Sequence, residues 1–363
     1  MSMAGTTDTV TTERASAVPG LGHVYGLVTR RRWLLLGFMA LVAVIALGVD
    51  IATGPSGLSL LDVLRGIVLP DTLSRAESVI IWHVRLPISL MALLVGAALG
   101  LAGAEMQTSL NNPLASPYTL GIAAAATLGA SLAITFDLFP SVGWLANTAI
   151  PFLAFLFAMG SSLLILQVSR LYNASTEIIV LFGIAMLFAM EALVSLVQFI
   201  ADTDTLQQIV FWTMGSLMRA TWPKITIVAV VFAVCAGLSI RQIWQLTMLR
   251  SGEEQSRSLG INVSRLRTGV LIRASLLTAV AVSFVGAIGF IGLVAPHISR
   301  LLLGEDHRFY LPGSVLAGAI TMLLASIASK LVMPGIILPV GIVTALAGIP
   351  IFVGLILLQR RGL

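Results

Sequence analysis

Few of the 363 residues have the types and spacing that chemistry requires. A phosphate loop of the form G-x-x-x-x-G-K-[ST] would offer backbone amides and a lysine to a nucleotide. Neither lysine of this chain, Lys224 or Lys330, follows a glycine. Cys235 is the single cysteine and lies in an apolar run, so no internal disulfide can form. No carboxylates are paired for acid–base work, no His, Cys, Asp and Glu cluster at ligand spacing, and no nucleophile has a base beside it. No catalytic residue, metal ligand or cofactor is therefore assigned to this chain. Three ionisable residues, Glu105, Glu191 and Arg273, lie deep within apolar stretches, whereas Asp50, Asp137 and Glu177 lie near the ends of such stretches. A lone charge in hydrocarbon is costly and must face an interior or a cavity. Three are too few for a proton relay. The densest polar segment is G-E-E-Q-S-R-S-L-G-I-N, Gly252 to Asn262.

The elements that must position these residues are set by composition. The chain is 58% apolar and 10% charged, with a mean hydropathy of +1.01. Soluble domains average about 45–50% apolar and about 25% charged. This excludes a soluble enzyme, a disordered chain and a disulfide-stapled secreted domain. The net charge of +5 is spread along the chain without a groove-reading motif, so no nucleic acid is expected as a partner. A helix needs roughly 20 apolar residues to cross a bilayer. Candidate spans run at about 33–53, 86–107, 118–136, 143–167, 176–200, 222–240, 311–332 and 338–358. The stretch from Thr268 to Leu303 is too long for one span and is punctuated by Gly286, Gly289 and Gly292. It reads as two shorter helices joined by a tight turn.

That makes an all-α polytopic membrane protein of ten spans. With both termini cytoplasmic, all but Arg65, Arg75, Arg85, Arg219, Lys224 and Lys330 of the 21 Lys and Arg lie inside, as the positive-inside rule requires. Residues 1–29 read as a disordered cytoplasmic tail and 30–363 as the membrane domain, with an external loop at about 54–85 and a cytoplasmic loop at about 241–267. Residues 201–221 read as a short interfacial helix ending at Gly215. Any energy source other than an ion gradient must reside on another polypeptide, and the Arg- and Glu-bearing cytoplasmic loop is the place for it to dock.

Four motifs narrow the reading. The second span and its exit read R-L-P-I-S-L-M-A-L-L-V-G-A-A-L-G-L-A-G-A-E-M-Q-T-S-L-N-N-P-L-A-S-P-Y-T-L-G, Arg85 to Gly121. The cytoplasmic loop supplies the second, Gly252 to Asn262. The others are G-A-I-G-F-I-G-L-V-A-P-H-I-S-R-L-L-L-G-E-D-H-R, Gly286 to Arg308, and L-P-V-G-I-V-T-A-L-A-G-I-P-I-F, Leu338 to Phe352. In this order and spacing they closely resemble the permease subunits of binding-protein-dependent ABC importers for ferric siderophores, haem and cobalamin, over roughly 30–363. The resemblance implies ten-helix subunits, paired as a homodimer or with a sister permease, in a bacterial cytoplasmic membrane. It implies two cytoplasmic subunits that bind ATP and Mg, and a periplasmic or lipid-anchored substrate-binding protein. A ferric siderophore is the first cargo expected, with haem, cobalamin or an oxyanion behind it. A proton-coupled secondary transporter is the rival class. The second and seventh spans each start near an Arg (Arg85, Arg267) and end at a proline-marked polar exit, as an inverted repeat would require.

By this resemblance Gly252, Glu253, Ser256, Arg257, Leu259 and Gly260 form the ATPase-coupling helix, with Glu253, Ser256 and Arg257 facing the partner; without it they would be an ordinary solvated loop. Asn112, Pro113 and Leu114, with Ser175 and Thr176, match the cytoplasmic gate, although an Asn-Pro turn also satisfies plain turn chemistry. Arg85 and Lys330, and less directly Arg65 and Arg75, match external cations that pair with the binding protein; snorkelling at the interface is the other reading. Glu191 suits either the substrate pathway or a helix–helix hydrogen bond, and Glu105 a structural role. His297 reads as a packing or capping residue. Ile88, Ser326 and Ile337 stand where many relatives carry charge.

Overall fold

The computed structural model describes residues 21–54, 60–69, 71, 73–137, 143–171, 176–333 and 335–361, and among these it is all helical. Helix α1 (Leu21–Ala52) is followed by α2 (Leu60–Val68) and α3 (Arg75–Val79), which runs through a wider turn at Ile80–Arg85 into α4 (Leu86–Ser109). Then come α5 (Ile122–Thr135), α6 (Gly143–Leu171), α7 (Thr176–Ile200), α8 (Thr203–Thr213) and α9 (Trp222–Arg241). Two short helices, α10 (Ile243–Leu249) and α11 (Glu253–Ser258), precede α12 (Val263–Val285), α13 (Ile291–Leu303), α14 (His307–Leu331) and α15 (Val340–Arg361). Seven of these helices are long and apolar enough to cross a membrane; apolar helices over Ile122–Thr135, Ile291–Leu303 and Val340–Gly354 are shorter.

Three expectations are corrected. Helix α1 starts at Leu21, so residues 21–29 belong to a helix and not to a disordered tail; the apolar Leu21, Val24, Leu27 and Val28 continue its pattern. The span placed at 118–136 is helical only from Ile122, because Asn111, Pro113 and Pro117 keep the preceding segment in turns. The loop at 54–85 carries a helix over Arg75–Val79 with a capping box, Ser74 and Glu77 each bonding the other's backbone amide, and passes unbroken into α4. The stretch 268–303 does break in two: Gly286 (φ +84°) and Phe290 (φ +66°) turn the chain between α12 and α13.

Helix α4 is the axis of the fold. Every residue from Leu86 to Ser109 except Leu90, Leu93 and Leu94 is buried, the signature of a helix apolar on all sides. It is enclosed by α14, α12, α13 and α9. Glycines make this enclosure close: a Cβ on Gly96 would strike the Gly318 carbonyl, on Gly100 the Ser314 carbonyl, and on Gly103 the Gly292 carbonyl. In lipid, small residues allow the backbone approach that dispersion then rewards.

Candidate functional site

The site begins where α9 ends and the chain must turn back into the bundle. Helix α11 is entered at Gly252, whose φ of +118° disfavours any side chain, and left at Gly260, with φ +80°. The exit is a Schellman turn: the Gly260 amide donates to the Arg257 carbonyl (3.0 Å) and the Ile261 amide to the Ser256 carbonyl (3.1 Å), with Ile261 buried beneath. Asn262 then caps α12 by accepting from the Arg265 amide at 3.0 Å. Glu254, Gln255, Arg257, Ser258 and Leu259 are left exposed on this rigid knuckle. Gly260→Val is expected to speed amide exchange across 253–261 while Tm stays within about 2 °C of the parent, because the strain falls on a rim element with few buried contacts.

Ser256 does not face outward. Its hydroxyl is fully buried and donates to the Met248 (3.0 Å) and Gly252 (2.8 Å) carbonyls, tying α11 to α10. Glu253 accepts from Arg257 at 3.2 Å and pairs with Arg267. Thr176, Glu253, Arg257 and Arg267 share one polar cavity of about 360 Å³ with Arg170, so the structure brings part of the gate assignment to the coupling assignment. Ser175 lies outside the described residues.

The exit of α4 is built from its own carbonyls. The Leu110 amide donates to Met106 (2.9 Å), Asn111 to Thr108 (3.2 Å) and Asn112 to Gln107 (3.1 Å), with Asn111 in the left-handed region at φ +43°. The Asn112 side chain accepts from the Leu114 amide at 2.9 Å, which leaves Pro113 and Leu114 exposed at the tip. Glu191 on α7 opens onto a cavity of about 330 Å³ with Tyr118, Thr127, Ser195 and Thr213.

At the opposite end, two of the four residues expected to meet the binding protein are engaged within this chain. Arg85 is buried and donates to the Ile51 (3.1 Å) and Ala52 (2.7 Å) carbonyls, closing the end of α1. Lys330, with its side chain 4% exposed, pairs with Asp50 at 2.8 Å, and Ser89 donates to the other Asp50 oxygen at 2.5 Å. Both cations are engaged inside the protein, since a buried charge needs a partner more than a surface does. Arg65 and Arg75 are exposed. Ile88, Ser326 and Ile337 meet in one small crevice beside Lys330. The changes at these three positions are thus neighbours in space.

Three pairings around α4 were not read from sequence. Arg273 donates to Glu105 through Nη2 (2.6 Å) and Nε (3.1 Å), with Ser239 donating to Glu105 (2.8 Å) and Gln242 accepting from Arg273 (2.8 Å). Arg300 donates to Gln107 at 3.0 Å, and Thr108 meets His307 Nε2 at 2.8 Å, fixing the last turn of α4 against α13 and α14. The signal available was the scarcity of deep charges: opposite signs at similar depth must find each other. His297 is buried on α13. Among the described residues no group of three metal-ligating side chains occurs.

Comparison with known proteins agrees with this architecture. The model of the FecCD transport family matches residues 39–359. The hemin transport system permease protein HmuU of Yersinia pestis is 34% identical over 90% of this chain and 96% of its own. The molybdate import system permease protein MolB of Haemophilus influenzae is 36% identical over 78% of this chain and 82% of its own. An inward-facing structure of an ABC transporter assigned to the metal-chelate type superposes with a TM-score of 0.77 at 32% identity, covering 89% of this chain and 98% of that one.

Proposed function

Because this chain belongs to the FecCD transport family, we propose that it is the permease subunit of an ATP-driven importer whose cargo is an iron chelate, a ferric siderophore first. That it is an ABC permease follows from the family; the cargo, the stoichiometry and the residue roles are the proposal. Ten spans are inferred by adding the three shorter apolar helices to the seven long ones, with both termini cytoplasmic. Two ATP-binding subunits grip α11, a second permease copy or sister subunit completes the pathway, and a substrate-binding protein delivers cargo from outside the bacterial cytoplasmic membrane. ATP and Mg belong to the partner, and no cofactor is assigned to this chain.

The observation that carries the reading is α11: an exposed, conformationally fixed knuckle whose base is tied to α10 by a buried hydroxyl and to α12 by an ion pair. A solvated loop has no need of two positive-φ glycines and a buried serine. The likeness to a transporter assigned to the metal-chelate type supports a chelated metal as cargo, whereas the haem and molybdate named for the two relatives mark the alternative cargoes. A proton-coupled mechanism is disfavoured by the charges themselves. Glu105 and Asp50 are each paired with a cation, which leaves few free titratable groups among the described residues for a proton relay.

The test is uptake by cells of radio-iron-labelled ferric hydroxamate. Deleting the cognate binding protein, or disabling the co-purifying ATPase, is expected to reduce uptake to background. Uptake that survived both deletions and followed the proton gradient would overturn the proposal.

A further inference from the structure

We infer that Arg267 is a positioning residue that transmits movement of α11 to the turn at 110–114; this rests on the reading of α11 as the ATPase-coupling helix. A helix leaves its last four carbonyls without intrahelical partners. In α4 three of them, Met106, Gln107 and Thr108, are taken by the amides of Leu110, Asn112 and Asn111, so the 110–114 turn hangs from the end of the helix itself. The fourth, Ser109, accepts from Arg267 Nε at 3.2 Å. The same guanidinium pairs through Nη2 with Glu253, the first residue of α11. One side chain therefore caps the helix that bears the turn and holds the helix that bears the ATPase.

Arg267 bonds both elements with one side chain, alongside the packing of α10 against α11 and α4. On its other side the last turn of α4 is fixed to the bundle by Arg300 on Gln107 and His307 on Thr108. Helix α11 packs on α10 and α12. Arg267 lies in the second turn of α12, side chain 15% exposed, between a half-exposed carboxylate and a backbone carbonyl. A guanidinium carries its donors in a rigid fork, so displacement of Glu253 rotates the group that holds Ser109.

The experiment uses the full complex in proteoliposomes, reading uptake of radio-iron-labelled ferric hydroxamate per ATP hydrolysed, together with the mobility of a spin label at Leu114. Arg267→Gln and Glu253→Gln are each expected to lower transport per ATP by about tenfold, the worth of one charged hydrogen bond, and to abolish the ATP-driven change at Leu114. Arg267→Lys keeps the charge but loses the rigid fork, so it is expected to fall between the parent and Arg267→Gln. A parental transport-to-ATP ratio in R267Q overturns the inference. If R267Q fails to fold, E253Q decides: a parental ratio there overturns it equally. A parent complex that shows no ATP-dependent uptake condemns the ferric-hydroxamate cargo instead, a separate result, and the ATP-driven change at Leu114 then decides the inference by itself.

Discussion

Glu105→Gln is expected to destabilise the protein by about 3–5 kcal/mol, seen as a large fall in Tm and loss of monodisperse material in detergent. The Glu105 side chain is wholly buried and that of Arg273 is 7% exposed, so removing the carboxylate strands a guanidinium away from water. An amide in its place keeps one acceptor and none of the charge. Ser239, which donates to Glu105, and Gln242, which accepts from Arg273, are too few to compensate. The paired replacement Glu105→Leu with Arg273→Met is expected to recover most of the loss, because it removes both desolvation penalties while filling similar volume. Thermal unfolding followed by size-exclusion chromatography measures both. A parental Tm for E105Q would mean the pair contributes nothing to the fold.

Gly103→Ala is the second large effect. The added methyl would collide with the Gly292 carbonyl, a backbone atom that cannot turn aside, so α13 must move off α4. Overpacking costs about 1–3 kcal/mol even where side chains yield, and here none can. The control is Gly160→Ala in α6, where nothing lies within 4 Å of the new methyl. That change is expected to be neutral or to stabilise by up to about 1 kcal/mol, from helix propensity alone. If the two variants melt alike, close approach of α4 to α13 is not what holds the bundle.

Both predictions bear on what the sequence made legible. Glu105 and Arg273 stood out as deep charges, yet 168 positions separate them and no local pattern joins them. Arg85 and Lys330 sit near span ends, where snorkelling and docking read the same; Asp50, 280 residues from Lys330, turns that lysine inward, and the Ile51 and Ala52 carbonyls do the same for Arg85. Ser256 looked polar enough to face a partner, but in a six-residue helix the hydroxyl found two carbonyls of its own segment. The break at Gly286–Phe290 was readable because glycine spacing is a local signal.

By itself the sequence determined the solvent, the helices and the family. Hydropathy sums over twenty residues, glycine and proline act on their own backbone, and the four motifs are contiguous. Only the tertiary structure decided which charges neutralise each other, and that the 110–114 turn hangs from one end of α4 while Arg85 closes α1 at the other. The reason is that pairing in a low-dielectric interior depends on depth and azimuth around a helix, which side chains share only after the bundle has packed.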